Sequence, residues 1–152
     1  MNPDQIPPIE LFHSRVPIQI RFNDVDVLGH VNNTVYFSFY DTGKAYYFSE
    51  VRGEKIDWQH VDTVIANVNC AYLAPIVFGE SPEVLTTCTV ISEKSFRLLQ
   101  MIRDEKSGEI KSICETVMVS YDAKEKSSRP LPEVWRRRLC EFEGRDLMKK
   151  EN

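Results

Sequence analysis

The stretch "NDVDVLGHVNNTVYF", Asn23–Phe37, holds the residues whose types and spacing could do chemistry. Two aspartates one residue apart precede Gly-His-Val-Asn-Asn, and an aromatic run with helical periodicity follows. A carboxylate seven residues ahead of a helix's first turn can lie beside that turn if the intervening "VLGHVN" folds back, and Gly29 supplies the freedom for the bend. A helix start carries unpaired N–H donors and a partial positive charge. Such donors can polarise a carbonyl oxygen and hold the charge that develops on it, one donor being worth about 3–4 kcal/mol of barrier in a dry site. The nearby aspartate can attack the carbonyl carbon or take a proton from an attacking water. A thioester suits this arrangement, because its thiolate leaves without much protonation. A bland alternative stands beside it, since aspartates and asparagines ahead of helices are mostly caps.

Other chemistries find no support. There is no G-x-S-x-G elbow and no G-x-x-x-x-G-K-[ST] phosphate loop. "DTG" at Asp41–Gly43 falls inside the helical pattern, whereas an aspartic protease needs it on a turn. His13, His30 and His60 are too scattered for a metal cluster, and Cys70, Cys88, Cys114 and Cys140 form no C-x-x-C pair. No metal is expected. A net charge of -4 with mixed signs lacks the basic face that nucleic acid requires. Free thiols, the lack of a signal-like apolar core and the lack of a run long enough to span a bilayer point to a cytoplasmic protein with no membrane partner.

The chemistry must be positioned by the elements around it. The chain has 152 residues, 42% of them hydrophobic and 28% charged, which suits one domain with a substantial core. The proline-rich first fifteen residues read as an arm, and "VPIQIRF" as a short strand. From Val35 onward, two adjacent stripes trace a helix: Val35, Phe39 and Tyr46, and Tyr36, Tyr40, Gly43 and Tyr47. Aromatic coverage this wide predicts enclosure, and Gly43 predicts close approach of a neighbour. Asn32 and Asn33 are candidate helix starters.

After Thr63 the period becomes two, in "TVIANVNCAYLA", "EVLTTCTVI", "SFRLLQMIRD" and "EIKSICETVMVSYD". Short turns between the last three predict an antiparallel meander. "RPLPEVWRRRLCEF" predicts a final helix beginning near Pro132, with Trp135, Leu139 and Phe142 on one face. The expected class is α+β: one long central helix wrapped by a curved antiparallel sheet.

"D-V-D-V-L-G-H-V-N-N-T-V-Y" followed by an aromatic helix resembles the signature of the hot-dog-fold acyl thioesterases of the 4-hydroxybenzoyl-CoA thioesterase class, with their acyl-CoA and acyl-ACP relatives. "VNCAYLAPIVFGE" resembles the strand after the family's helix, and "RPLPEVWRRRL" its tail, so most of residues 16–139 is covered. The resemblance implies a single hot-dog domain over residues 16–145, with residues 1–15 as an arm. It implies hydrolysis of an acyl-CoA thioester without a cofactor, and a homodimer or homotetramer with its site at a subunit interface. Asp26 matches the catalytic carboxylate, and the backbone N–H of Asn33 the group that polarises the carbonyl. Asp24 is expected to brace the loop. Gly29, His30, Asn32 and Tyr36 are expected to shape the substrate site, and Lys94 and Ser95 to border the pantetheine path. Two other functions are consistent with the same residues: acyl-ACP hydrolysis, and a non-catalytic acyl-thioester-binding module.

Overall fold

The structure is a computed structural model that describes residues 5–53 and 62–150; His60 lies outside them. After a 3-10 turn at Ile9–Leu11 come β1 (Ser14–Pro17) and a second such turn at Phe22–Asp24. Then follow α1 (Val35–Arg52), β2 (Thr63–Tyr72), β3 (Pro82–Ile91), β4 (Ser95–Asp104), β5 (Ile110–Asp122), β6 (Ser127–Ser128) and α2 (Glu133–Glu143). The strands run antiparallel in the order β1-β3-β4-β5-β2, with β6 on the end of β5. The meander is β3-β4-β5, and α1 carries the chain from one edge of the sheet to the other. The expected helix wrapped by a curved sheet is therefore what forms.

Register explains the layers. Cross-strand rows such as Val84–Ile102–Ser112–Tyr72 and Cys88–Leu98–Thr116–Val68 face α1. Their neighbours, among them Leu85–Met101–Ile113, face the other way. Tyr36, Phe39, Tyr40, Gly43, Lys44, Tyr47 and Val51 are the buried face of α1. The stripe through Tyr36, Tyr40, Gly43 and Tyr47 thus meets the sheet, while Tyr46 of the adjacent stripe stays half exposed. Buried tyrosines must pair their hydroxyls. Tyr40 donates to Ser112 Oγ at 2.7 Å, and Tyr47 to Glu143 Oε1 at 2.7 Å. Gly43 is needed for contact: a Cβ there would lie 2.5 Å from Val84 Cγ1 and 3.0 Å from Gln100 Nε2.

The back of the sheet is covered as well. Phe12 packs with Leu85, Leu99, Met101 and Ile113, and Ile6 and Ile9 pack beside it. Ile6, Ile9 and Phe12 thus lay the described residues ahead of β1 as a strap across the sheet. The strand expected as "VPIQIRF" lies earlier, at Ser14–Pro17. Ile18 N–H still donates to Pro82 O at 2.9 Å, but Pro82 has no N–H to return the bond, and the chain leaves through the turn that Arg21 and Asp24 close.

The two long edges differ. Beyond β1, the edge of β3 is occupied by the C-terminal segment: Cys88 N–H donates to Glu143 Oε1 at 2.9 Å, and Ile91 exchanges backbone bonds with Leu147 and Lys149. Glu143 also accepts from Thr87 Oγ1, so its buried carboxylate is held by three donors. β2, ten residues long, forms the opposite edge, and its inward-facing Ile65, Val68 and Tyr72 are still 47, 38 and 45% exposed. α1 packs on β1, β3, β4 and β5, and among the described residues it covers β2 least.

Candidate active site

Asp26 stands on a tight hairpin. Val25 and Val31 bridge, Asp26 N–H donates to His30 O at 2.9 Å, and Gly29 N–H donates to Asp26 O at 3.0 Å. Gly29, at φ +78°, closes this three-residue loop. A positive φ at that place favours glycine. Asp26 Oδ1 accepts Leu28 N–H at 2.9 Å, which anchors the carboxylate and leaves Oδ2 without a protein donor among the described residues. A bridge between His30 and Val77, and a 2.7 Å bond from Val31 N–H to Ile76 O, dock the hairpin onto the segment after β2.

Asp24 has a different environment. It is buried, and its carboxylate takes the Arg21 N–H at 2.8 Å and the Arg21 guanidinium at 3.1 Å. Burial pushes its pKa up, but the hydrogen bonds and charge of Arg21 outweigh this and hold it below the usual carboxylate range. Its backbone carbonyl accepts Asn32 N–H at 2.8 Å. Asp24 is thus engaged inside the loop, in the bracing position expected of it.

At the head of α1 nearly every backbone group is held. Asn32 O accepts Val35 N–H at 2.9 Å, and Asn32 Oδ1 accepts Thr34 N–H at 3.0 Å and Thr34 Oγ1 at 2.8 Å. Asn33 O accepts the Tyr72 hydroxyl at 3.0 Å. The Asn33 N–H donates to no acceptor among the described residues. Thr34, in helical conformation and with no side-chain cap, is the formal N-cap, while Asn32 does the capping work two residues earlier.

Asp26, His30, Asn33 and Tyr36 line one cleft of about 360 Å³, together with Val31, Tyr72, Leu73, Ala74 and Pro75. Gly29 and Asn32 do not line it; they build the hairpin and the helix start that do. Tyr36 is almost wholly buried: burial pushes its hydroxyl pKa up, opposed by the Ile76 N–H beside it, and its ring meets Tyr72 edge-on at 4.9 Å. Lys94 and Ser95 lie elsewhere in the chain, at the opposite end of the sheet: Ser95 pairs with Val119, which pairs with Val64 near the start of β2.

The wall formed by Tyr72–Pro75 is absent from the sequence reading of the site. Its signal was the alternation that puts Tyr72 on the inner face of β2, but its meeting with Asn33, 39 residues away, is a tertiary fact. Behind that wall Lys111 donates to Pro75 O at 3.0 Å and pairs with Glu80 at 2.8 Å, and Glu80 accepts Val77 N–H at 2.7 Å. Among the described residues no three His, Cys, Asp or Glu side chains are grouped to hold a metal, and no helix is long and apolar enough to cross a membrane.

Comparison with known proteins agrees with the fold. The profile of the thioesterase-like superfamily matches residues 20–139. A thioesterase from Thermus thermophilus, crystallised with coenzyme A and zinc, is 31% identical and superimposes with a TM-score of 0.80 over 90% of this chain and 98% of its own. A 1,4-dihydroxy-2-naphthoyl-CoA thioesterase from Synechocystis shares the fold at 20% identity and a TM-score of 0.74, over 83% of this chain and 94% of its own. So does a Staphylococcus aureus protein crystallised with CoA, at 13% identity and a TM-score of 0.75, over 91% of this chain and 87% of its own. No protein with a curated description matches. On the profile over most of its length and on the Thermus relative, the chain belongs to the thioesterase-like superfamily and carries its hot-dog fold.

Proposed function

We propose that this protein hydrolyses an acyl-CoA thioester to a carboxylic acid and free CoA, with Asp26 as the reacting carboxylate and the Asn33 N–H as the donor to the carbonyl oxygen. Membership of the superfamily supports thioester hydrolysis as the reaction class. The observation that carries the residue assignment is the unpaired Asn33 N–H in the same cleft as Asp26. With the thioester oxygen on that N–H, the positive end of α1 stabilises the charge that forms there. Asp26 takes the proton of a water attacking the carbonyl carbon, or attacks that carbon itself. Collapse of the tetrahedral intermediate breaks the C–S bond, and CoA leaves as a thiolate; where Asp26 itself attacked, the acyl group remains on it as an anhydride, which water cleaves to the carboxylic acid and the free Asp26 carboxylate. No further cofactor enters this scheme. His30 and Tyr36 border the acyl group, and Gly29 and Asn32 hold the frame. CoA as carrier draws support from the Thermus relative, crystallised with it.

The same reading makes the working form a homodimer or homotetramer. Asp26 is open to solvent in a single chain, whereas the donor at Asn33 is effective only where water is excluded. The long edge of β2, which ends in Tyr72 at the cleft, is the surface a second chain would cover.

The test is release of free thiol from octanoyl-, palmitoyl- and benzoyl-CoA by the parent and by Asp26→Asn. The parent is expected to turn over at least one ester, and the variant to lose at least about a hundredfold in kcat while melting like the parent. Equal rates would remove Asp26 from the mechanism. Release from acyl-ACP alone would move the carrier to a protein, and saturable CoA-ester binding without turnover would make this a binding module.

A further inference from the structure

We infer that Tyr72 is a positioning residue of this reaction: its hydroxyl, reaching from β2, fixes the backbone that aims the Asn33 N–H into the cleft. The inference rests on the acyl-CoA reading above. The carbonyl of Asn33 and the N–H of Thr34 belong to one peptide plane. Tyr72 Oη holds the oxygen end at 3.0 Å, and Asn32 Oδ1 holds the N–H end at 3.0 Å. The preceding plane carries Asn32 O, bonded to Val35 N–H, and the Asn33 N–H itself. With one plane held at both ends and the other held at its oxygen, the direction of the remaining N–H is set.

Of these restraints, those from Asn32 and Val35 lie within three residues of the donor and move with it. Tyr72 ties the same backbone to the sheet, from 39 residues away. Its ring, edge-on to Tyr36 at 4.9 Å, steadies the hydroxyl against the first turn of α1. α1 is otherwise bonded to β4 and β5, through Gln100 at Tyr40 O and Tyr40 at Ser112, so Tyr72 is the hydrogen bond that refers the head of the helix to β2 among the described residues. The action on the donor is geometric. Donation to the Asn33 carbonyl polarises the Asn33–Thr34 peptide, and the N–H of that peptide is the one on Thr34. Nor is Tyr72 suited to carry the proton: burial, and after it the neighbouring Cys70 thiol, push its hydroxyl pKa up, and its proton already lies on Asn33 O.

The experiment compares the parent, Tyr72→Phe and Asp26→Asn on octanoyl-CoA and benzoyl-CoA, with amide hydrogen exchange at Thr34 as a readout independent of turnover. Phenylalanine keeps the ring in the cleft and removes only the hydroxyl. Misplacement of a reacting group by about 1 Å costs up to a hundredfold, so Tyr72→Phe is expected to lower kcat about tenfold. KM should stay within about twofold, because the substrate still meets the same ring. The plateau of the pH–kcat profile should fall with its limbs unmoved. Exchange at Thr34 should quicken about tenfold while Tyr40–Tyr47 stay protected, which would also show that the variant is folded.

A parent-like kcat for Tyr72→Phe beside a dead Asp26→Asn would overturn the positioning role and leave the hydrolase reading intact. A rise in KM at constant kcat would make Tyr72 a substrate contact instead, and a shifted limb would make it a proton carrier; either overturns the inference. If the parent releases thiol from neither ester, the reading beneath it has failed too.

Discussion

The close approach of α1 to the sheet can be tested at one carbon atom. Gly43→Ala would add a Cβ 2.5 Å from Val84 Cγ1, 3.2 Å from Val84 Cβ and 3.0 Å from Gln100 Nε2. Apolar carbons sit about 3.5–4.0 Å apart at best, so a gap of about 1 Å has to open. Val84 cannot supply it, being fully buried on β3 and paired with Val16 on one side and Ile102 on the other. Gln100 would have to loosen its bonds to Tyr40 O and Thr86 Oγ1, both 3.0 Å and both buried.

Three terms then compete. Overpacking costs about 1–3 kcal/mol, and the strained bonds of Gln100 cost about 1 kcal/mol each. Alanine returns about 1 kcal/mol of helix propensity relative to glycine. Steric conflict outweighs propensity, for a net loss of about 2–4 kcal/mol. In a chain of this size that lowers Tm by about 5–10 °C. Urea unfolding at matched protein concentration, followed by tyrosine fluorescence and circular dichroism, measures it directly. A midpoint equal to or above the parent's would mean that propensity decides, and that α1 does not lie on β3 at this separation.

Two further outcomes follow from the loop and from the open edge. Asp24 is held below its usual pKa, so its contribution to stability is present at neutral pH and disappears as pH falls through its folded-state value. Asp24→Asn should therefore cost about 1–2 kcal/mol at pH 7, with the gap to the parent closing in acid; a gap that is constant with pH would refute the ion-pair account. Val68→Lys puts a charge on the inner face of β2 where a single chain leaves room for it. Sedimentation should find this variant monomeric, folded and at least about tenfold less active, and a fully active monomer would refute a site completed by a second chain.

What could be read from the sequence was whatever is encoded locally. The stripe of Tyr36, Tyr40, Gly43 and Tyr47 needs only a period, and the structure buries it as that period implies. Strands β3, β4 and β5 begin and end within a residue of the alternating segments, because the turns between them carry their own signals. Periodicity failed where another part of the chain decides. "VPIQIRF" alternates well, yet its strand ends at Pro17; Ile18 N–H still reaches Pro82 O at 2.9 Å, and Pro82 has no N–H to return the bond. The proline-rich start carries no period at all, and only the apolar back of β3, β4 and β5 gives Ile6, Ile9 and Phe12 a place to pack. In the cleft, Asp26, His30, Asn33 and Tyr36 come from the motif itself, within ten residues of one another, and the hairpin closed by Val25 and Val31 brings them together. Tyr72 comes from a strand on the far side of α1, and no spacing announces it.

The strap has a consequence for synthesis. Phe12 emerges from the ribosome roughly a hundred residues before Ile113, the last of the strand residues it packs against. At about 5–20 residues per second, that is a wait of about 5–20 seconds. During that interval its apolar side chains have no native surface to cover, and afterwards the finished sheet has an uncovered back until they arrive. The nascent chain is thus most vulnerable to capture by a chaperone, or to adhesion to its neighbours, in the moment between completing β5 and laying the first residues across it.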